Sequence, residues 1–296
     1  MNTMATRPFL AMLLALGLAA PARSAQSVDE TRPASADASI SIENLSGSIT
    51  ITGWDREELK VTGTLGEGTE GLEISGGPER LRVEVVIPRR SRHVSESYLE
   101  VSVPKEARLS VSTVNADVSC AAFAGRLGAN TVNGEVNVKD KLVEIDVETV
   151  SGDIALTVDC PDLEASSVSG EIRIEGARGD TAVETVSGDV RIAAGVLERF
   201  QCGTVSGDLE FSGALSPKGR YSFGSQSGNI RLTLSAKPDA EFEISTFSGD
   251  IDNDFGPEAT RTSKYVPAQE LSFTEGDGGA SVEIETFSGD VELLAP

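Results

Sequence analysis

A six-residue phrase repeats through the sequence and constrains its fold more than any other feature. Residues 149–154 read TVSGDI, and three close copies of this phrase follow along the sequence. Weaker copies extend the series on both sides, so that the glycine position of the ten copies falls at 47, 116 (an alanine), 134, 152, 170, 188, 207, 228, 249 and 289. The step between copies from 116 to 188 is 18 residues each time. A fixed period of this size is typical of a stacked repeat architecture.

Apolar residues flank the phrase with a period of two. Ile154 and Leu156 lie two and four places after their glycine, and Ile145 and Val147 lie seven and five places before it. The other copies repeat this pattern. Alternation on both flanks predicts two half-buried strands in every repeat.

The residue two places before the glycine separates two candidate folds. It is apolar in nine copies of ten, and Gln226 is the exception. In a hairpin with Ser-Gly as its loop this residue faces outward, and Asn-Gly is the preferred loop pair. At a corner the residue can turn inward, and only the glycine needs a positive φ.

We therefore predict an all-β fold, a β-solenoid resembling a parallel β-helix with about 18–21 residues per coil. A hairpin meander is the alternative. The predicted structural corners are Gly134, Gly152, Gly170, Gly188, Gly207, Gly228, Gly249 and Gly289.

The first 24 residues have the features of a secretory signal peptide. Arg7 precedes an uncharged apolar run over 9–20, and small residues allow cleavage between 22 and 24. We expect a flexible leader over 25–38 and one repeat domain over 39–296. Within that domain, 56–105 breaks the period as an irregular or capping part, and 252–280 is an insertion. The mature protein is expected to be exported, either to the periplasm or to the cell surface.

The net charge limits the classes of binding partner, and the spacing of the cysteines indicates whether they can form disulfides. The formal net charge is −22, which argues against nucleic acid and against anionic lipid as primary partners. Cys120 and Cys202 fall at inward positions, and Cys160 falls near the other corner. Two coil steps, about 10 Å, separate Cys120 from its nearest partner, which exceeds the reach of a disulfide. Three free and mostly buried thiols are expected.

The recurring phrase, the strand at 99–104 (LEVSVP) and the segment at 280–291 (ASVEIETFSGDV) together resemble a known family. It is the "putative adhesin" family of bacterial exported proteins with S-G-D β-strand repeats, and the resemblance covers residues 39–296. It implies a β-solenoid, an envelope location and no established enzymatic activity. Some similar domains belong to envelope-stress signalling proteins, so a sensor domain that binds an amphiphile is an alternative function.

The position directly after the glycine is acidic in most copies. Asp117, Glu135, Asp153, Glu171, Asp189, Asp208, Asn229, Asp250 and Asp290 should stack along one corner. Ca²⁺ could bridge such carboxylates, but the nine-residue period of calcium-binding solenoids is not found in this sequence. We expect solvated turn carboxylates that accept backbone N–H bonds. A polysaccharide-acting β-helix enzyme is a further alternative, because carboxylates alone can perform acid–base chemistry.

We expect a non-catalytic envelope protein, without cofactor or metal, that acts as an adhesin-like binding or scaffold module. The mature chain contains no apolar run long enough to span a membrane as a helix. The one histidine, His93, lies in the only dense basic run. In that run Arg89, Arg90 and Arg92 are the predicted contact with an envelope polymer or an envelope protein.

Overall fold

The computed structural model describes residues 26–88, 94–261 and 267–295, and in this part of the chain every regular element is a strand. The prediction of an all-β fold is confirmed. The strands in chain order are β1 (Gln26–Pro33), β2 (Ser39–Trp54), β3 (Glu58–Leu65), β4 (Gly71–Gly77), β5 (Arg80–Val86), β6 (Ser97–Pro104), β7 (Arg108–Ala121), β8 (Arg126–Thr131), β9 (Val136–Asp140), β10 (Glu144–Thr149), β11 (Ile154–Val158), β12 (Asp162–Ser169), β13 (Ile172–Glu175), β14 (Gly179–Ser187), β15 (Val190–Ala193), β16 (Leu197–Ser206), β17 (Leu209–Gly213), β18 (Arg220–Ser227), β19 (Ile230–Leu234), β20 (Ala240–Ser248), β21 (Ile251–Asn253), β22 (Thr260–Arg261), β23 (Gln269–Glu275), β24 (Ala280–Ser288) and β25 (Val291–Leu294).

Each regular coil consists of two strands joined at the Ser-Gly corner. We call the strand before the glycine the first limb and the strand after it the second limb. β10, β12 and β14 are successive first limbs, and they pair in parallel with a register step of 18 residues. The second limbs β11, β13 and β15 pair in the same way. The predicted stack of parallel coils, a β-solenoid, is confirmed.

The core lies between the two limbs. Ile145 and Val147 of one limb and Ile154 and Leu156 of the other are all buried, as their alternation predicts. Contact between the limbs is direct where the coils carry aromatic residues, since the ring centroids of Phe200 and Phe211 are 5.5 Å apart. The branched residues of this core suit a pleated surface that is buried on one side.

The N-terminal end of the stack is covered by a layer of mixed strands. β2 pairs in parallel with β7 on one side and with β5 and β6 on the other. β3 pairs antiparallel with both β1 and β6, and β4 pairs antiparallel with β5. The strands β3, β4, β5 and β6 therefore form an outer layer over β2, and they satisfy an edge that would otherwise be open.

The C-terminal end departs from chain order. β24 pairs in parallel with β18 on one side and with β20 on the other, while β25 lies between β19 and β21. β23 then covers the outer edge of β20 as an antiparallel partner. No helix in the described part of the chain is long and apolar enough to cross a membrane.

Candidate functional site

The apolar residue two places before each corner glycine faces solvent. Residues of this column have exposed fractions between 38% and 57%, and its members from the first coil of the regular body onward are Val114, Val132, Val150, Val168, Val186, Val205, Phe287 and Phe247. The prediction that this residue turns inward is wrong. The reason is strand parity: β14 continues as far as Ser187, so inward Val183 and Thr185 leave Val186 facing outward.

The C-terminal half of this column forms one wall of a groove of about 970 Å³ on the outer side of the first limbs. Phe247 and Phe287 stack on each other with ring centroids 4.8 Å apart and an interplanar angle of 7°. From Val168 to Phe247 the column crosses six coils, which corresponds to a length of roughly 24 Å. One of the six coils carries Gln226 at this place, so the groove is long and has one wall that is apolar except at that coil.

Two strand glycines form the floor of the groove. Gly203 and Gly224 are in-register neighbours on β16 and β18, four places before their corner glycines. A Cβ atom added to either residue would meet no heavy atom within 4 Å, so both positions open into the groove. Other coils carry Ser or Glu at this place, among them Ser166 and Glu184. The two adjacent glycines were a sequence signal for a groove, and the sequence analysis missed it.

The far wall comes from the segment that precedes β23 and from the strand itself. The Gln269 side chain donates to Asp250 Oδ1 at 2.7 Å, and its Oε1 accepts from the Ile251 backbone N–H at 3.3 Å. The carboxylates of Glu184, Glu270 and Glu285 also line the groove. No ion pair of these three carboxylates is found among the described residues, so within that part of the chain they give the rim of the groove a negative charge.

The corner glycines are required for close approach between coils, not for a positive φ. Gly134, Gly152, Gly170, Gly188 and Gly249 have no positive φ, and Gly207, Gly228 and Gly289 have φ of 156–159°, near the extended limit. A Cβ on Gly188 would lie 2.0 Å from the carbonyl oxygen of Gly170 in the adjoining coil. Each corner glycine packs in this way against a neighbouring coil, so the predicted reason for the glycines is wrong at most corners.

The acidic column binds the backbone of the neighbouring coil. Asp153 Oδ1 accepts the Glu171 N–H at 2.8 Å, and Asp189 Oδ1 accepts the Asp208 N–H at 3.1 Å. The same bond recurs from Asp117, Asp208, Asn229 and Asp290. The expectation that the column accepts backbone N–H bonds is confirmed for these six residues. The other three accept from side chains: Glu135 from Asn137, Glu171 from Arg173 and Arg191, and Asp250 from Gln269. In the described ranges, no group of three or more His, Cys, Asp or Glu residues is placed to hold a metal ion.

The family model described as Toastrack DUF4097 matches residues 34–294. This chain belongs to the Toastrack DUF4097 family. No curated protein matches it.

Several solved structures resemble this Toastrack chain at low sequence identity. A "putative adhesin" from Bacteroides fragilis is 11% identical, with a TM-score of 0.46, over 91% of this chain and 97% of that one. A "putative adhesin" from Parabacteroides distasonis is 10% identical, with a TM-score of 0.46 and the same coverage. A "putative lipid binding protein" from the latter organism is 14% identical, with a TM-score of 0.47, over 90% of this chain and 96% of that one. These names are those of adhesins and a lipid-binding protein, but at this level of similarity they assign no ligand to the present chain.

The predicted basic contact cannot be placed on the Toastrack structure. Arg89, Arg90 and Arg92 lie outside the described residues, as does His93. Two described cations on the far turns of the solenoid are paired: Lys105 Nζ lies 2.9 Å from Asp55, and Lys141 Nζ lies 3.1 Å from Asp159. The contact at 89–92 stays a prediction from sequence.

The three cysteines of this Toastrack chain are free and buried, as predicted. Burial raises the pKa of the Cys120 thiol to about 12, and the nearby Asp140 carboxylate adds to the shift. Burial also raises the pKa of Cys160 and Cys202. A thiol held in its neutral form is a poor nucleophile, so these side chains act as core packing.

Proposed function

We propose that the protein is an exported, non-catalytic binding module that holds an extended apolar ligand in the groove on the first limbs. One observation carries the proposal: a solvent-exposed apolar column ends in the stacked pair Phe247 and Phe287 beside a glycine floor. Gln226 interrupts the column once, between Val205 and Phe287. A large exposed apolar surface with polar neighbours marks a binding site in soluble proteins.

The energetics favour coverage of this column. About half of each of the two phenylalanine side chains is in water. A fully buried phenylalanine removes roughly 150–250 Å² from solvent, so covering the exposed half contributes about 2 kcal/mol per ring at 25 cal/mol per Å². Val168, Val186 and Val205 add smaller gains along the groove. A ligand that follows the column gains apolar contact at every coil except that of Gln226.

The shape and charge of the groove define the ligand class. A groove roughly 24 Å long that runs across successive coils suits a linear chain better than a compact ring system. The unpaired carboxylates of Glu184, Glu270 and Glu285 disfavour anionic head groups by repulsion. A neutral or cationic long-chain amphiphile fits both features. The alternative function, an envelope-stress sensor that binds an amphiphile, would use the same groove.

Two further features support this role without identifying a ligand. The sequence begins with residues typical of a secretory signal, which supports export to the envelope. Residues that face the groove are mainly apolar, small or amide-bearing, and the three carboxylates are spread along it on different coils. The lining residues can therefore contact a ligand along the whole groove, as an extended binding site does. They do not converge on one point, as the reactive groups of an active site do.

The test fills the groove without disturbing the fold. Gly203→Ile and Gly224→Ile place side chains where the structure has open space, and isoleucine suits a strand better than glycine. We expect both variants to fold normally and to bind the neutral dye Nile red, and its competitor dodecyl maltoside below micelle formation, at least tenfold more weakly than the wild type. Fluorescence titration provides the dissociation constants.

The matched control is Gly128→Ile, an outward strand glycine outside the groove whose added Cβ would meet only an ordinary contact at 3.8 Å. A second pair compares Phe287→Ser in the groove with Val196→Ser, an exposed residue on a far turn. If the groove variants bind the dye as tightly as their controls do, the proposed site is wrong.

A further inference from the structure

The last coil of the described chain fills a gap between two coils that precede it in sequence. We call residues 280–294, which form β24 and β25, the closing coil. Ile284 is in register with Phe223 of β18 on one side and with Ile244 of β20 on the other. β18 and β20 do not pair with each other in the described structure. The solenoid is therefore continuous at this end only when the closing coil is in place.

The closing coil and the coil before it have nearly interchangeable sequences. Residues 281–291 read SVEIETFSGDV, and residues 241–251 read EFEISTFSGDI. Both present an apolar pair before the corner, a buried threonine and the corner glycine. The gap therefore recognises a pattern that belongs to the repeat, not a surface unique to one strand. The apolar side chains seated there are fully buried: Val282, Ile284, Val291 and Leu293.

A short connection between β23 and β24, which we call the crossing, directs the closing coil into the gap of its own chain. Residues 276–279 carry the chain from β23, on the outer edge of β20, to β24 on its inner edge. Gly276 and Gly278 adopt left-handed φ values of 72° and 74°. Asp239 Oδ1 accepts the backbone N–H groups of Asp277 at 2.7 Å and Gly279 at 3.2 Å. One carboxylate thus fixes the direction in which the chain turns.

We propose that the closing coil exchanges between two copies of this chain, each copy filling the gap in the other, and that the Asp239 contacts limit the exchange. An unfilled gap presents two rows of unpaired backbone groups, which is a template for another strand. The closing coil of a second copy offers the same hydrogen bonds and the same apolar side chains, so exchange preserves every contact except those at the crossing. The partner of this surface is therefore a second copy of the chain.

The experiment links two chains through the gap. One tagged chain carries Ser222→Cys and the other carries Glu283→Cys, at outward positions that are in-register neighbours on β18 and β24. Both are produced in the same cell, purified under reducing conditions and then oxidised. We expect a covalent heterodimer on non-reducing gels, and we expect Asp239→Ala in both chains to increase it severalfold.

The control pair carries Ser166→Cys in one chain and Glu184→Cys in the other, which are in-register neighbours inside the regular body. These positions should crosslink within a doubly substituted chain but not between chains. A doubly substituted Ser222→Cys/Glu283→Cys chain should also crosslink internally, which checks the placement of β24 independently of exchange. If the test pair gives no more heterodimer than the control pair, with or without Asp239→Ala, exchange does not occur.

Discussion

The corner glycine in the middle of the stack offers the sharpest test of how the coils pack. Gly188→Ala adds a single methyl group at a position whose φ is not in the left-handed region. On dihedral grounds alone the change should be mild. The structure instead places the new Cβ 2.0 Å from the Gly170 carbonyl oxygen and 3.3 Å from its nitrogen. We therefore expect a large loss of stability from the smallest possible substitution.

The magnitude follows from what must move. A carbon–oxygen contact of 2.0 Å has to open by more than about 1 Å, and both groups belong to the backbone, so the two coils must separate at the corner. The Gly170 N–H bond to Ser187 O, 3.3 Å, and the Ile172 N–H bond to Asp189 O, 3.0 Å, join these two coils and are the first to weaken. Two such bonds at about 1 kcal/mol each, with lost packing, give about 2–4 kcal/mol. This corresponds to a fall in Tm of about 5–15 °C.

The assay is thermal unfolding followed by circular dichroism, with amide hydrogen exchange to localise the effect. The control is Ala116→Gly, because the same position of an earlier coil already holds a methyl group, buried to 1% exposure. Removing that methyl group should cost less than about 1 kcal/mol. If Gly188→Ala melts within a degree of the wild type, close approach between coils does not explain the corner glycines.

Four further outcomes are expected. Val186→Asp should cost less than about 1 kcal/mol in urea unfolding because Val186 faces solvent, whereas Val183→Asp should cost several kcal/mol because Val183 is buried. Glu135→Asp should raise the free energy of unfolding by about 0.5–1 kcal/mol, because the shorter carboxylate can accept the Asp153 N–H, just as Asp153 accepts the Glu171 N–H. A lower free energy of unfolding in calorimetry would show that these bonds between coils do not stabilise the stack. The raised pKa of Cys120 means that the folded state disfavours its thiolate, so stability should fall as pH rises above 9.0, and a thiol reagent should label it only on unfolding. Attachment to purified envelope material should weaken in a salt-dependent manner when serine replaces Arg89, Arg90 and Arg92, and unchanged attachment at low and high salt would remove that contact.

The fold could be predicted from the sequence because the repeat determines both the strands and the register between them. Alternation at Ile145, Val147, Ile154 and Leu156 defines two limbs, and an 18-residue period defines the register between coils. The same reasoning failed at Val186, where the chain was assumed to break parity at the corner. Following the alternation through Ser187 would have placed the valine outside.

The reason for the corner glycines and the position of the groove could not be predicted, because both depend on contacts between coils. The requirement for Gly188 comes from the Gly170 carbonyl oxygen, which lies one coil away and is visible only once the coils are stacked. The groove was missed because it needs Gly203 and Gly224 side by side with the Phe287 and Phe247 rings. Since the closing coil lies between two earlier coils, chain order alone does not place those rings at the groove.

The most direct measurement of the proposed function is a methyl NMR titration of the full mature chain with dodecyl maltoside below micelle formation. Valine methyl groups report on the groove through Val168, Val186 and Val205, and on the remaining surface through Val143 and Val196, which are also exposed. We predict saturable shifts confined to the three groove valines and abolished by Gly224→Ile. Shifts that are absent from the groove, or equal at Val143 and Val196, would contradict binding along this column.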